Sequence, residues 1–349
     1  MTQTTGKALA DRTMSLNADA RPDRRLSIAP MMEWTDRWCR MFHRRFSVRT
    51  LLYTEMVTTG ALLHGDPERH LGHDPEEVPL ALQLGGSDPD DLAKAVEIAV
   101  EFGFSEINLN CGCPSDRVQN GAFGACLMHT PDLVAGCTSA MIEAARGRAE
   151  ITVKCRIGVD DQDPRRALPE FIDRVSASGV RSFAIHARKA WLQGLSPKEN
   201  RTIPPLDYDL ARQIKSERPD LEIVLNGGIQ SLDEAIAHLN DFDGVMIGRA
   251  AYHTPADVLA DADRRVFGEA KEPVDPILAV RGMYPFIERE LVAGTRLHQI
   301  TRHMLGAFAG RPGARRWRRI LSEQANRPGA GLEVIESALS SVEPAHAAE

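Results

Sequence analysis

Eight short, almost continuously apolar runs rich in β-formers recur between residues 26 and 252. They are Leu26–Met31, Leu51–Val57, Pro79–Gly85, Glu106–Asn110, Ile151–Ile157, Ser182–Ala187, Glu222–Asn226 and Gly244–Ile247. Runs without clear polar alternation suit parallel strands covered on both faces. Between most of them lies a stretch with helix start signals. Ser87 precedes Asp88-Pro89-Asp90 and a helical pattern to Phe102; Thr130-Pro131 opens a helix reaching Ala145. Ser231 with Glu234 reads as a capping box, and Thr254-Pro255 puts proline at a first helical position. This alternation predicts an α/β chain, a (β/α)8 TIM barrel. The competing architecture is a doubly wound open sheet. Its Gly-x-Gly-x-x-Gly turn is absent, because the first strand runs into Ala29-Pro30-Met31-Met32-Glu33.

The rest of the chain is assigned around that barrel. Residues 1–25 are polar, lack the apolar core of a signal peptide and are expected to form a mobile tail. The catalytic barrel is placed at 26–270, a small helical domain at 271–326 and a flexible tail at 327–349, with a short helix near Leu332–Leu339. No apolar run is long enough to span a membrane. Six cysteines in 349 residues do not make a disulfide scaffold, so a reducing cytoplasm is expected. Cys111-x-Cys113 has no second Cys or His pair at ligand spacing, so no metal is expected. The protein is expected to be a monomer.

Catalytic groups of such barrels lie at the carboxyl ends of the strands. Cys113 follows the fourth strand in a Gly112-Cys113-Pro114 turn stiffened by proline. A thiol of ordinary pKa, about 8.5, is mostly protonated at neutral pH and can give a proton to carbon; Cys111, nearer the strand, suits plain packing. Asn226-Gly227-Gly228 and Gly248-Arg249 follow strands seven and eight. Their glycines allow close backbone approach to a phosphate, and Arg249 adds a charged contact; otherwise they make tight turns only. The phosphate belongs either to a flavin mononucleotide or to a phosphorylated substrate. Lys154, at the end of a buried strand, needs a partner. It suits a reduced flavin ring, a salt bridge or a Schiff base. His186 contacts a phosphate or ring, or is structural.

The net charge of −7 argues weakly against nucleic acid, but the average hides an asymmetry. From Leu291 to Ser322 there is no Asp or Glu, against seven arginines: Arg296, Arg302, Arg311, Arg315, Arg316, Arg318 and Arg319. A solvated face normally mixes signs, so this stretch points to RNA or another polyanion. Trp317 within it either stacks or packs. Lys198 and Arg201, in a polar excursion over 188–206, extend the basic surface.

Across about residues 26–325 the chain resembles the tRNA-dihydrouridine synthases. The resemblance rests on Ala29-Pro30-Met31-Met32, Asn110-Cys111-Gly112-Cys113-Pro114-Ser115, Val153-Lys154-Cys155-Arg156-Ile157-Gly158, Ile185-His186-Ala187-Arg188, Asn226-Gly227-Gly228 and Ile247-Gly248-Arg249. The stretches His186–Arg201 and Gly313–Arg319 resemble the subgroup acting on uridines 20 and 20a of the tRNA D-loop. The resemblance implies an FMN-bearing barrel, a helical tRNA-binding domain and NADPH as reductant. It implies that Pro30, Met31, Met32, Gln83, Lys154, His186, Asn226, Gly227, Gly228, Gly248 and Arg249 hold the flavin. Cys113 would be the proton donor and Asn110 would touch the target nucleotide. Lys198, Arg201, Arg315 and Arg318 would contact RNA, with Arg316 and Arg319 an alternative register for the last two. Cys111 stands where relatives more often carry an apolar residue. The competing functions are a small-molecule flavin oxidoreductase resembling dihydroorotate dehydrogenase, a Lys154-dependent aldolase, and a non-catalytic RNA-binding barrel.

Overall fold

Eight parallel strands close into a barrel in a computed structural model that describes residues 21–115 and 123–342. Residues 1–20 and 343–349, most of the first expected tail and the end of the second, lie outside the described residues, as do 116–122. The strands are β1 (Leu26–Ile28), β2 (Leu51–Thr58), β3 (Leu80–Gly85), β4 (Glu106–Cys111), β5 (Glu150–Arg156), β6 (Ser182–His186), β7 (Glu222–Asn226) and β8 (Gly244–Ile247). They neighbour one another in chain order, and β1 pairs with both β2 and β8, which rules out the open sheet. The first strand is shorter than expected. Its last ladder bond is Ala29 N to Ile247 O at 2.8 Å; Pro30 has no N–H with which to continue.

Helices α1 (Arg37–Phe46), α2 (Thr59–His64), α3 (Pro89–Val100), α4 (Pro131–Ala145), α5 (Pro164–Ser176), α6 (Tyr208–Glu217), α7 (Leu232–His238) and α8 (Arg249–His253) follow the strands in turn. The start of α3 is capped by Asp88 rather than Ser87, its carboxylate accepting from Asp91 N at 2.9 Å. At α7 the Ser231 hydroxyl accepts from Glu234 N at 3.2 Å, but the Glu234 carboxylate takes Gln230 N at 2.7 Å. The expected capping box is thus displaced by one residue on its return side. Among the described residues no helix is long and apolar enough to cross a membrane.

The strands do alternate, although their composition hides it. Ile107, Leu109, Ile151, Val153, Phe183, Ile185, Ile223 and Leu225 belong to the large core beneath the helices. Ala29, Leu51, Tyr53, Ala81, Ala184, Val224 and Met246 form a separate cluster inside the barrel. On β4, β5, β6 and β7 the inward positions are the even-numbered ones, and several of them are polar. At the floor, the buried Arg24 guanidinium reaches three carboxylates: Glu106 at 2.8 Å, Glu150 at 2.7 Å and Glu222 at 2.6 Å. The 1–25 tail expected from sequence therefore ends before Arg24, which is part of the barrel.

A helical bundle completes the chain: α9 (Pro276–Arg281), α10 (Tyr284–Val292), α11 (Leu297–Thr301), α12 (Ala314–Gln324) and α13 (Leu332–Leu339). Trp317 packs: it is fully buried, meets Phe308 edge-on at 4.9 Å, and donates to Met304 O at 3.1 Å. On α12, Ala314, Trp317, Ile320 and Leu321 face inward, an amphipathic spacing that leaves all four arginines outside. The helix expected near Leu332–Leu339 is present and buries Val334, Ile335, Ala338 and Leu339. The chain passes so close there that a Cβ on Gly313 (φ +82°) would lie 1.9 Å from Ser341 O. Asp36, at the start of α1, ties the bundle to the barrel by accepting from Arg302 at 2.6 Å and pairing with His303 at 2.9 Å.

Removing one member of a buried ion cluster leaves the others uncompensated, a loss typically of about 3–5 kcal/mol. Arg24→Ala is therefore expected to lower stability by about that amount in urea denaturation at neutral pH. A loss below about 1 kcal/mol, the scale of exposed pairs, would contradict the floor assignment.

Candidate active site

The strand register assembles the mouth of the barrel. Asn110 on β4 lies beside Lys154 on β5, and His186 on β6 beside Asn226 on β7. These are the inward positions at or near the carboxyl ends of their strands, so side chains far apart in sequence converge on one opening. Two adjoining cavities occupy it and share Pro30, Met31, Met32, Lys154, His186 and Arg201. The larger, of about 790 Å³ including space open to solvent, adds Asn226, Gly227, Gly228, Gly248 and Arg249. The smaller adds Gln83, Asn110, Cys113 and Arg156.

The turn after β7 requires glycine. Gly227 has φ +111° and Gly228 φ +79°. A Cβ at the first would stand 2.5 Å from the His186 ring, and at the second 2.5 Å from Leu206 and 2.7 Å from the Tyr208 hydroxyl. That hydroxyl donates to Gly227 O at 2.6 Å, and the Asn226 amide donates to Met246 O at 2.7 Å. The result is a fixed backbone surface free of side chains, beside Arg249.

Among the described residues no Asp or Glu lines either cavity. Burial, then the neighbouring Arg156 charge, lowers the Lys154 ammonium to about 8. Burial, then Arg201, lowers Arg156 to about 9. Burial, then Arg156 and Lys154, hold His186 well below its ordinary value, so its ring is neutral at pH 7. Desolvated cations that repel one another and have no counter-ion among the described residues favour an anionic ligand.

Cys113 sits half-buried on the rim of the smaller cavity. Its loop is held from several sides. The Asn110 side-chain oxygen accepts from Gly112 N at 2.9 Å and Cys113 N at 3.0 Å. Ala125 N donates to Cys113 O at 2.9 Å, and Arg156 Nε donates to Gly112 O at 3.1 Å. Cys111 points the other way, fully buried under the helices beside Cys155, and burial pushes its thiol well up. It is a packing residue.

Arg156 also donates to Lys189 O at 3.2 Å and Asn200 O at 2.9 Å, joining the thiol loop to the excursion after β6. The buried Asn200 side chain folds that excursion around itself through Trp191 N at 2.7 Å, Trp191 O at 2.9 Å and Leu195 O at 3.1 Å. Arg201 thereby lines both cavities, while Lys198 is exposed and lines neither. Arg315 and Arg318 are exposed on α12, also outside the cavities. Arg316 and Arg319 are equally exposed, and none of the four forms an ion pair among the described residues. Arg302 and His303 do not belong to that basic face, being bonded to Asp36. Trp34 and Gln230 line the larger cavity and were not singled out in the sequence; nor was any role given to Arg156. The signal for Arg156 was parity, since it shares the inward phase of Thr152 and Lys154. Among the described residues no three His, Cys, Asp or Glu side chains are grouped to hold a metal.

A family model described as dihydrouridine synthase matches residues 27–343. A tRNA-dihydrouridine(20/20a) synthase from Escherichia coli O6:H1 is 58% identical over 322 residues, covering 92% of this chain and 96% of that protein. The protein of that name from Vibrio cholerae is 57% identical over 319 residues, covering 91% and 96%. The one from Escherichia coli K12 is 57% identical over 319 residues, covering 91% of each.

An anion bound beside Lys154 raises its pKa, so binding takes up a proton wherever the free lysine is neutral. Affinity of the ligand-free protein for sulfate, an anion whose charge is constant over this range, followed by calorimetry, is expected to be flat up to pH about 8 and to fall above it. In Lys154→Met that fall disappears. Affinity that rises through this range would contradict the electrostatic account.

Proposed function

The chain belongs to the dihydrouridine synthase family, and from that premise we propose that it reduces the C5=C6 bond of uridines 20 and 20a in the tRNA D-loop, with FMN as its flavin and NADPH as reductant. The observation that carries this reading is a cationic cavity, with no acid among its described lining residues and a thiol on its rim. The residues fit FMN. The Gly227-Gly228 turn, Gly248 and Arg249 offer a side-chain-free, basic place for its phosphate. Lys154 offers a cation to a ring that becomes anionic on reduction, and neutral His186 offers a ring nitrogen without added charge. A lysine tuned to about 8 would also suit an amine nucleophile. Such a site has no use for the glycine turn and the thiol in the same opening.

FMN held there and reduced by NADPH would supply the hydride for C6 of uracil. The protein's part begins with access, since a base within a folded tRNA has to be extruded to reach a pocket. The excursion carrying Lys198 and Arg201, and the exposed arginines of α12, give the phosphate backbone a basic track. As C6 gains hydride, the C5=C6 π pair is left on C5 and O4. Cys113 gives its S–H proton to C5, forming the second new C–H bond, and the thiolate regains a proton from solvent. The loop bonds of Asn110 and Arg156 fix where that thiol stands. A small-molecule flavin oxidoreductase would leave the unpaired arginine face without a purpose.

General acid catalysis of this kind is worth about 10²–10⁴-fold. Cys113→Ala is therefore expected to bind FMN and be reduced by NADPH at the wild-type rate, while its reoxidation by tRNA slows by about that factor. Rapid-mixing flavin absorbance measures both halves. Reoxidation at the wild-type rate would remove Cys113 from the chemistry.

A further inference from the structure

We infer that Thr152 and Asn108, in the middle of the barrel and lining neither cavity, are positioning residues for the Cys113 loop. They act through a one-way column of hydrogen bonds rising from the barrel floor. This inference rests on the reading of Cys113 as proton donor.

The direction of the column follows from its two ends. At the top, one Asn110 side-chain atom receives both Gly112 N and Cys113 N. Only an oxygen accepts two N–H groups, so the Asn110 carboxamide has a single permitted orientation. Its nitrogen then donates to Gln83 Oε1 at 3.0 Å. That makes Gln83 Nε2 the donor to Asn108 Oδ1 at 2.9 Å, and Asn108 Nδ2 the donor to Thr152 Oγ1 at 2.8 Å. The Thr152 hydroxyl proton goes to Glu106 Oε1 at 2.6 Å. At the bottom, Glu106 also accepts from Arg24 Nε at 2.8 Å and from the Tyr53 hydroxyl. A carboxylate held by a guanidinium can only accept. Both ends are therefore fixed, and each amide turns its oxygen toward the mouth and its nitrogen toward the floor.

Flipping any amide would set N–H against N–H at one side and oxygen against oxygen at the other. Gln83, Asn108 and Thr152 are all at most 2% exposed, so water does not readily replace a lost partner. Losing the Thr152 hydroxyl leaves the Asn108 amide nitrogen without its acceptor and the column anchored only at the loop it positions. Asn110 is then no longer held from the floor through Gln83 and Asn108. The thiol would move although nothing in contact with substrate had changed. A misplacement of about 1 Å can slow a reaction about 10²-fold.

The test uses the flavin-loaded full chain. Thr152→Val keeps the shape and removes the hydroxyl; Thr152→Ser keeps the hydroxyl. Asn108→Leu interrupts the column one link higher and serves if the valine variant does not fold. Two readouts are taken. The first is the split between flavin reduction by NADPH and reoxidation by tRNA. The second is the rate of iodoacetamide alkylation at Cys113, followed by peptide mass spectrometry without any tRNA. Thr152→Val is expected to retain flavin and its reduction rate, to reoxidise with tRNA at least about tenfold more slowly, and to show a changed Cys113 alkylation rate; Thr152→Ser is expected to restore both. Wild-type alkylation and wild-type reoxidation in Thr152→Val would overturn the inference. So would equal defects in the serine and valine variants. If wild-type protein itself is not reoxidised by tRNA, the function reading fails, and the alkylation rates still decide the column.

Discussion

Glu106 is the point on which the barrel interior turns. A closed barrel turns every second side chain inward, away from water, so any polar group placed there needs its partners within the barrel. Glu106 receives Arg24 from below, Tyr53 from the side and Thr152 from above. The acid is affordable at the floor because Arg24 spans it together with Glu150 and Glu222. Given that anchor, Thr152, Asn108, Gln83 and Asn110 occupy inward positions beside the apolar cluster, and they end at the two N–H groups of the thiol loop. The placement of Cys113 is thus continuous with the ion cluster that closes the opposite end.

The same architecture divides charge along the barrel axis. All the inward acids lie at the floor, where Arg24 meets them. The mouth holds Lys154, Arg156, Arg201 and Arg249, and no acid among the described residues lines its cavities. The depressed Lys154 and Arg156 values are the signature of that division, with burial the larger cause and mutual repulsion the second. A second basic surface lies on α12, which carries four exposed arginines and no acid before Glu323. Two basic surfaces on a chain of net charge −7 mean that the average charge says little about its ligands. One surface is concave and suits an anionic ligand; the other is convex and suits a phosphate backbone.

Much of this was legible in the sequence, for physical reasons that differ from place to place. The strands read clearly because parallel strands under helices are apolar on the outward phase and small or apolar on much of the inward one, and β7 and β8 were bounded to the residue. The Gly227-Gly228 turn read clearly because left-handed backbone excludes other residues. Trp317 was ambiguous, because an aromatic amid arginines fits a stacking platform and a helix core equally; burial against Phe308 decides it. Arg24 was misplaced in the tail, since one of three arginines in Arg21-Pro22-Asp23-Arg24-Arg25 carries no local sign of three acids more than eighty residues further on. Asp88 rather than Ser87 capped α3 because both suit the position and only backbone geometry chooses. The column through Gln83, Asn108 and Thr152 could not be read at all: its links join three strands, and register becomes visible only once the barrel closes.

The most direct measurement is mass spectrometry of D-loop fragments from unmodified tRNA after incubation with the protein, FMN and NADPH. The account predicts a gain of two hydrogens on uridines 20 and 20a. Protein that binds FMN and oxidises NADPH yet leaves the D-loop mass unchanged would contradict it, and would assign the cavity to a small-molecule acceptor instead.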